Sequence, residues 1–342
     1  MYGYEPLISV IIPTYNYGRL ISKAIGSVLL QSYTNIEIIV IDDGSEDDTG
    51  TVIRDIISSY PNYVIKYTRT DNNGIGAAKT LGIEQSSGDY LLFMDADDYM
   101  DPGCIESLVS STDDGWADWV IGSFRFVDEQ GRTIKEEKAF ARDDVTKWCY
   151  TYIHANLFRK QIIDKCVKLE TSFTTDVETA FQFCIYSKSV KYCDKILYNY
   201  LIHDSTTRDS KSLYNYVMTG DSRCNLSNLF GSMKRNVEPF LDELDYDKFV
   251  YGLIRVYYSK ILVTVQNYSY KKAKEIYLVF NSDLKMYYPE YLKNKYLLKE
   301  FSGMTMVRKI VTPVCALMEK TRTFSLFLMV YTFFTRNKRI VD

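Results

Sequence analysis

The 342-residue sequence predicts an α/β fold, a doubly wound and mainly parallel sheet, followed by a helical C-terminal region. Three observations carry that expectation. Short apolar, β-branched runs alternate with helical stripes from the first residues onward. The first, second and fourth of these runs end in polar or acidic clusters, as strand ends do where an open sheet receives its ligand. Beyond residue 213 the periodicity is helical and no strand-like run is present.

Residues 7–12 form a run closed by Pro13, and 36–41 form another closed by Asp42, Asp43 and Gly44, the composition of strands buried on both faces. Between them Leu20, Ile21, Ala24, Ile25, Val28 and Leu29 recur at three and four, one stripe of a helix that completes a β-α-β unit. Residues 45–59 open with the capping run Ser45, Asp47, Asp48 and Thr49 and turn Val52, Ile53, Ile56 and Ile57 inward. A short strand over 64–67, a helix over 76–85 and a strand over 90–94 continue the alternation. After Asp98 the pattern mixes: strands over 119–126 and 190–200, a short helix over 156–165 and a helix over 176–187. A boundary near Ser210 divides the chain into 1–210 and a helical 211–342.

With 46% hydrophobic and 25% charged residues, the chain is neither disordered nor collagen-like. Seven cysteines without a C-x-x-C pair fit reduced thiols in a cytoplasmic protein better than a disulfide framework or a zinc site. The first apolar run has no basic segment before it and reads as a strand rather than a signal peptide. The net charge of −3 conceals an asymmetry: residues 260–342 carry 15 basic against 6 acidic side chains, while the first 259 carry 26 against 38. A basic, tyrosine-rich tail on an acidic body suits contact with an anionic surface or a solvated helical face, and the acidic body disfavours nucleic acid.

The strand ends carry the chemistry. The first delivers Pro13, Thr14, Tyr15 and Asn16, the second Asp42 and Asp43, the fourth Asp95, Ala96, Asp97 and Asp98. Carboxylates gathered in one cleft repel, and a divalent cation or a set of hydrogen-bond donors resolves the repulsion. Hard oxygen ligands in a D-x-D arrangement suit Mn²⁺ or Mg²⁺ on a diphosphate. The ordered segments Ile8-Ser9-Val10-Ile11-Ile12-Pro13-Thr14-Tyr15-Asn16, Val40-Ile41-Asp42-Asp43-Gly44-Ser45, Asn73-Gly74-Ile75-Gly76-Ala77-Ala78 and Ser87-Gly88-Asp89-Tyr90-Leu91-Leu92-Phe93-Met94-Asp95-Ala96-Asp97-Asp98 together closely resemble the family 2 inverting glycosyltransferases of GT-A fold. The resemblance is strongest over 5–105, loosens to about Arg208 and does not extend to the tail.

The resemblance implies a GT-A nucleotide-sugar-binding and catalytic domain over 1–210 and assigns roles within it. Thr14 and Tyr15, with Pro13 and Asn16 beside them, would lie against the nucleotide, and Asp42 would accept the N3–H of a uracil-type base. Asp95 would face the ribose and the metal, Asp97 would bind the Mn²⁺ or Mg²⁺ bridging the phosphates, and Ala96, Asn73 and Gly74 complete the donor site. Lys79 stands where relatives often have arginine, keeping the charge without the planar fork. Asp176, at the start of a helix, matches the catalytic aspartate, with Thr175 where the family has glutamate; Glu178 is second choice because it turns to another helix face. His203 stands near a position usually basic, able to touch the diphosphate or complete the metal shell, with an exposed loop histidine as the plainer reading. His154 receives no role, Asp43 reads as a turn residue, and Asp98 is open between the site and a cap of the helix near Pro102.

The implied function is transfer of one sugar, with inversion, from a nucleotide sugar, UDP-linked by preference, to a hydroxyl of a glycan or lipid-linked glycan in surface polysaccharide biosynthesis. No tryptophan follows an arginine, so the Gln-x-x-Arg-Trp segment of processive synthases is missing. The alternative is a non-catalytic nucleotide-sugar-binding subunit of a glycan assembly complex, motivated by Lys79, Thr80 and Thr175. A sugar-phosphate nucleotidyltransferase is disfavoured because Pro13 to Asn16 contain no Gly-rich loop. In the tail, Val307, Ile310, Val311, Val314, Leu317 and Met318 share a helical face beside Arg308, Lys309 and Lys320, and residues 323–334 are uncharged, then followed by Arg336, Lys338 and Arg339. Twelve residues fall short of the roughly 20 that span a bilayer. Two readings stay open: a peripheral helix on the inner face of the cytoplasmic membrane, or a helix packed on the catalytic domain or on the partner in a homo-oligomer.

Overall fold

The computed structural model describes residues 5–139, 152–166, 175–203, 226–265, 268–297 and 306–335. The boundary at Ser210, the loosely matched stretch from Ser205 to Arg208, the Thr175 side chain and the basic Arg336, Lys338 and Arg339 lie outside the described residues.

Two compact units are present, one covering 1–141 and 152–203, the other 142–151 and 204–342. The first contains β1 (Ile8–Thr14), α1 (Gly18–Leu29), β2 (Ile36–Asp42), α2 (Thr49–Ser59), β3 (Val64–Arg69), α3 (Ile75–Gln85), β4 (Tyr90–Phe93), β5 (Tyr99–Met100), α4 (Cys104–Ser110), β6 (Trp119–Val127), β7 (Thr133–Glu137), β8 (Asn156–Arg159), α5 (Lys160–Ile163), α6 (Thr175–Tyr186) and β9 (Val190–Leu201). The strands form one sheet in the order β3-β2-β1-β4-β8-β6-β9-β5, with β7 added to β6. Pairing is parallel from β3 through β2 and β1 to β4, antiparallel on either side of β8, and parallel again between β6 and β9. This is the doubly wound, mainly parallel α/β sheet that the alternation predicts.

β1 and β4 are buried at every position, which is why both read as unbroken apolar runs. The α1 stripe faces them through Ile21, Ala24, Ile25, Val28 and Leu29. α3 crosses close over β1 at Gly82, where a Cβ would run into Ile11 Cγ2. β1 stays paired with β2 as far as Thr14 but with β4 only as far as Ile11, so a crevice opens at the carboxyl ends where Pro13 and Thr14 lie. Strand order reverses at this point, where an open sheet places its ligand.

The helix expected over 156–165 is corrected: Asn156–Arg159 is a strand and only Lys160–Ile163 is helical. The short apolar run Asn156-Leu157-Phe158 carries no period of its own. It is taken up between β4 and β6, where Phe158 pairs with both Leu91 and Trp119 and Asn156 Oδ1 accepts the Gly122 N–H at 3.0 Å. β5 and β7 are short additions that the sequence reading did not anticipate.

The second unit contains α7 (Leu226–Asn236), α8 (Glu243–Val265), α9 (Tyr270–Tyr287), α10 (Met306–Lys320) and α11 (Phe324–Thr335), with two single 3₁₀ turns and no strand among the described residues. Phe249, Leu253, Ile254, Ile261, Ile276 and Leu284 are buried in it. Its polar centre is Glu319 of α10, whose carboxylate accepts from the Tyr257 hydroxyl at 3.0 Å, the Tyr258 hydroxyl at 3.1 Å, the Asn281 amide at 3.0 Å and the Tyr291 hydroxyl. No described helix is long and apolar enough to cross a membrane.

Candidate active site

Three loops at the carboxyl end of the sheet are tied together by their own side chains. Asn16, at φ +58°, accepts the Glu46 N–H at 2.8 Å through Oδ1, while its own N–H donates to Ser45 Oγ at 2.9 Å. The loop after β1 is thereby locked to the loop after β2. Asp43 accepts from the N–H groups of Asn73 and Gly74, each at 2.8 Å, which locks the β2 loop to the start of α3; Gly74 sits at φ +89°, a conformation that suits glycine. Asp43 is thus more than a turn residue.

Asp42 is fully buried. Its carboxylate accepts the Ser45 N–H at 2.8 Å and the Tyr67 hydroxyl at 2.8 Å, with Arg69 Nε at 3.8 Å. Each oxygen retains a second lone pair for a further donor. Thr14 is buried at the end of β1 with its Oγ1 lacking a protein partner, whereas Tyr15 is exposed beside it.

Beyond β4 the chain delivers Asp95, Ala96, Asp97 and Asp98. Asp97 Oδ2 lies 2.8 Å from His203 Nε2, and both side chains are largely buried. The Tyr17 phenol lies near enough to Asp97 to feel its charge, and its ring meets His203 edge-on at 6.2 Å. Burial and then Asp97 and Asp95 push that phenol far above its ordinary value. Asp98 is not a helix cap: it is buried, accepts the Tyr198 hydroxyl at 2.7 Å and the Leu201 N–H at 2.9 Å, and so ties the acidic loop to β9. Burial, with Asp97 and Asp95 nearby, drives its carboxyl well above the ordinary range. His154 lies beneath, stacked on Tyr198 at 5.2 Å, and could share a cation with Asp95 and Asp98 since one ligand atom of each lies within 4.8 Å of the others.

Asp176 and Lys79 meet at 2.6 Å. Lys79 on α3 is 2% exposed and Asp176 on α6 is 36% exposed, so the cation is sunk and the carboxylate reaches solvent. Burial pulls the Lys79 ammonium down, but Asp176 and then Asp95 outweigh it and hold its pKa above the ordinary value. Asp95 is pushed up to about 7, chiefly by burial, against the pull of Lys79 and with a further push from Asp176 and Asp97. Glu178, the second choice for a base, is fully buried.

Asp95, Asp97, Asp176, Lys79 and His203 therefore form one interacting set, while Pro13, Thr14, Tyr15, Asn16, Asp42, Asn73 and Gly74 line the neighbouring strand and loop ends. From the sequence alone Tyr17 has no role, nor does Tyr198 within its Tyr-x-Tyr run, and nothing there shows the loop-pinning role of Asp43. Tyr17 stands one residue past a recognised motif, and Tyr198 belongs to a Tyr-x-Tyr pair on β9, so both had a local signal.

Among the described residues the ligand atoms that lie within 4.8 Å of one another are those of Asp95, Asp98 and His154, carboxylate oxygens with an imidazole nitrogen that suit a hard or borderline divalent cation, and the Asp97–His203 pair at 2.8 Å adds donors of the same kind in the same acidic loop.

Comparison with known proteins bears on the family and the fold. Residues 9–188, more than half the chain, match Glycosyl transferase family 2. An uncharacterized glycosyltransferase of Haemophilus influenzae is 38% identical over 130 residues, which are 38% of this chain and 52% of that protein. The match thus spans about half the length of that relative. Among solved structures, Staphylococcus aureus TarS 1–349 in complex with UDP-GlcNAc superposes with a TM-score of 0.64 at 15% identity, covering 98% of this chain and 94% of that one. The mannosyltransferase PcManGT from Pyrobaculum calidifontis, in complex with GDP-Man and Mn²⁺, gives a TM-score of 0.54 at 13% identity, covering 97% and 87%. At these identities the superpositions speak for the fold alone. The sheet, its acidic strand ends and the matched residues 9–188 agree: the chain belongs to the family 2 glycosyltransferases, with a GT-A-like fold.

Proposed function

We propose that the protein is an inverting transferase that moves one sugar from a UDP-sugar to a hydroxyl of a glycan or lipid-linked glycan acceptor in the building of a surface polysaccharide. The observation that carries this reading is the convergence of Asp97 with His203, Asp95 and the Lys79–Asp176 pair at the carboxyl ends of the central strands.

In this reading Asp176 removes the proton of the acceptor hydroxyl as its oxygen attacks the anomeric carbon, the bond to the diphosphate breaks, and the configuration inverts in one displacement. Lys79 holds one carboxylate oxygen of Asp176 and fixes its direction, leaving a partly exposed face for the acceptor. Asp97, Asp95 and His203 would hold Mn²⁺ or Mg²⁺, and that ion would supply positive charge against the departing diphosphate. Asp42 accepts the N3–H of the base, and Thr14 Oγ1, without a protein partner, donates to or accepts from the nucleotide. Pro13, Tyr15, Asn16, Asn73, Gly74 and Ala96 shape the donor's seat. UDP is favoured by the TarS complexes, although the GDP-Man of the mannosyltransferase shows that the fold accepts another base.

The neutralisation of Asp176 by Lys79 also favours a second reading, a subunit that binds a nucleotide sugar without transferring it. One experiment separates the two: Mn²⁺-dependent hydrolysis and transfer across a panel of nucleotide sugars, with membrane extract as acceptor source. Asp97→Ala is expected to lose donor binding, and Asp176→Asn to keep binding while transfer falls by about 10²–10⁴-fold. Donor binding without turnover by the native chain supports the subunit. Absence of binding to any donor overturns both.

A further inference from the structure

α11 (Phe324–Thr335) is apolar on two opposite faces. Phe324, Leu328, Thr332 and Thr335 point into the helical unit and are buried. The other face, at the spacing i, i+3, i+4, i+7, i+8, consists of Leu326, Met329, Val330, Phe333 and Phe334, all exposed, the last two at 78% and 70%. A helix that is apolar all round belongs in a nonpolar surrounding, yet half of this one faces water. The preceding helix behaves in the same way. α10 buries Thr312, Cys315, Ala316 and Glu319 and turns Val314 and Leu317 outward. Its rotation follows from Glu319, which is drawn inward by the tyrosine hydroxyls of α8 and the 3₁₀ turn at Tyr291–Lys293 and by the Asn281 amide of α9. Of the apolar stripe of α10, Val314 and Leu317 are thereby left exposed and Val311 and Met318 half-buried, while the side chains of Val307 and Ile310 lie outside the described residues.

The charges that flank α11 along the chain are of one sign. Exposed Lys320 and Arg322 precede α11, and in the sequence Arg336, Lys338 and Arg339 follow it. Over residues 306–342 there are seven basic side chains and two acidic ones, and one of those two, Glu319, is buried. Between its basic ends α11 has no charged residue.

We propose that the outward face of α11, with Val314 and Leu317 of α10, docks this protein on the surface of an anionic lipid bilayer. Twelve helical residues extend about 18 Å, too short to span the hydrocarbon core of roughly 30 Å, so the helix lies in the interface with its aromatic face among the acyl chains and its basic ends among the headgroups. Charge decides against a second copy as the occupant. Because both ends of the helix are basic, a two-fold pairing of two copies sets basic cluster against basic cluster whether the helices run parallel or antiparallel. A bilayer containing anionic lipid supplies the apolar strip and the opposite charge together.

The test is co-sedimentation of the full chain with vesicles of phosphatidylcholine alone and of equal parts phosphatidylcholine and phosphatidylglycerol. It needs no sugar donor, so it stands or falls separately from the transferase reading. The native chain is expected to bind the mixed vesicles about tenfold or more tightly than the neutral ones, with binding that weakens as salt rises. Phe333→Glu with Phe334→Glu, both at exposed positions, is expected to lose about tenfold or more of that binding with UDP-sugar binding and melting temperature unchanged. Lys320→Ala with Arg322→Ala is expected to weaken binding to the mixed vesicles and to flatten its salt dependence. No binding to the mixed vesicles, or undiminished binding by the Phe333/Phe334 variant, overturns the proposal. So does light scattering that shows a native oligomer which that variant dissociates, since the face then joins copies of the chain.

Discussion

The Lys79–Asp176 contact shows how one buried cation can serve two carboxylates. Lys79 is sunk beside Asp176 and Asp95, and its charge is the one influence that pulls Asp95 down against burial, Asp176 and Asp97. With Asp95 at about 7, a small change in this balance moves its protonation across the neutral range. Lys79→Met removes the cation, so Asp95 holds its proton to higher pH. Titrating Mn²⁺-dependent donor binding against pH is therefore expected to show the rising limb displaced upward by on the order of one pH unit in the variant. A limb that stays in place would mean that Lys79 does not act on Asp95. Arginine at this position would bring a larger planar group into a site that now holds a fully sunk lysine, so the two residues are not interchangeable here.

Among the elements, β2 contains the clearest departure from its own pattern, a glutamate inside an apolar central strand. Glu37 is buried and accepts from Lys66 Nζ at 2.7 Å, Ser9 Oγ at 2.5 Å and the Ser87 N–H at 2.6 Å. Burial alone would raise its pKa, but these donors together outweigh it and hold the carboxyl at about 2, below its ordinary value of about 4.5. An acid with a depressed folded pKa contributes stability above its unfolded value and loses it as pH falls toward the folded one. Glu37→Gln is accordingly expected to be less stable than the native chain at neutral pH, with the difference shrinking between about pH 4.5 and about pH 2. Urea midpoints of the two chains across that window measure it, and a constant difference would refute the assignment. β8 departs from its pattern for another reason: a run of three or four residues is decided by its neighbours, and β4 and β6 both needed a partner.

For the whole molecule, the division into a sheet unit and a helical unit gives each its own polar anchor. In the helical unit that anchor is Glu319, on which three tyrosine hydroxyls and the Asn281 amide converge. Removing it strands several buried donors at once, a loss of about 3–5 kcal/mol. Glu319→Ala is expected to raise amide hydrogen exchange throughout α8 to α11 while the sheet unit keeps its protection and its capacity to bind UDP. Equal loss of protection in both units would show that they unfold as one.

What could be read from the amino acids alone was local. Unbroken apolar runs marked β1, β2 and β4, three-and-four spacing marked α1, and polar clusters pointed to Asp42, Asp95, Asp97 and the Pro13–Asn16 segment as residues of strand ends, because the apolar pattern of a buried strand and the place where it stops are carried by consecutive residues. Folding decided what depends on contacts between distant residues: Lys79 with Asp176, 97 positions apart; Asp98 with Tyr198, 100 apart; Asp97 with His203, 106 apart. It also decided the strand state of Asn156–Arg159 and the rotation of α10, where a buried carboxylate's demand for hydrogen-bond donors turned Glu319 inward and left Val314 and Leu317 exposed. Periodicity reports which face of an element is apolar; it does not report which polar group must be satisfied in the interior, and in the C-terminal unit that second requirement set the surface the protein presents.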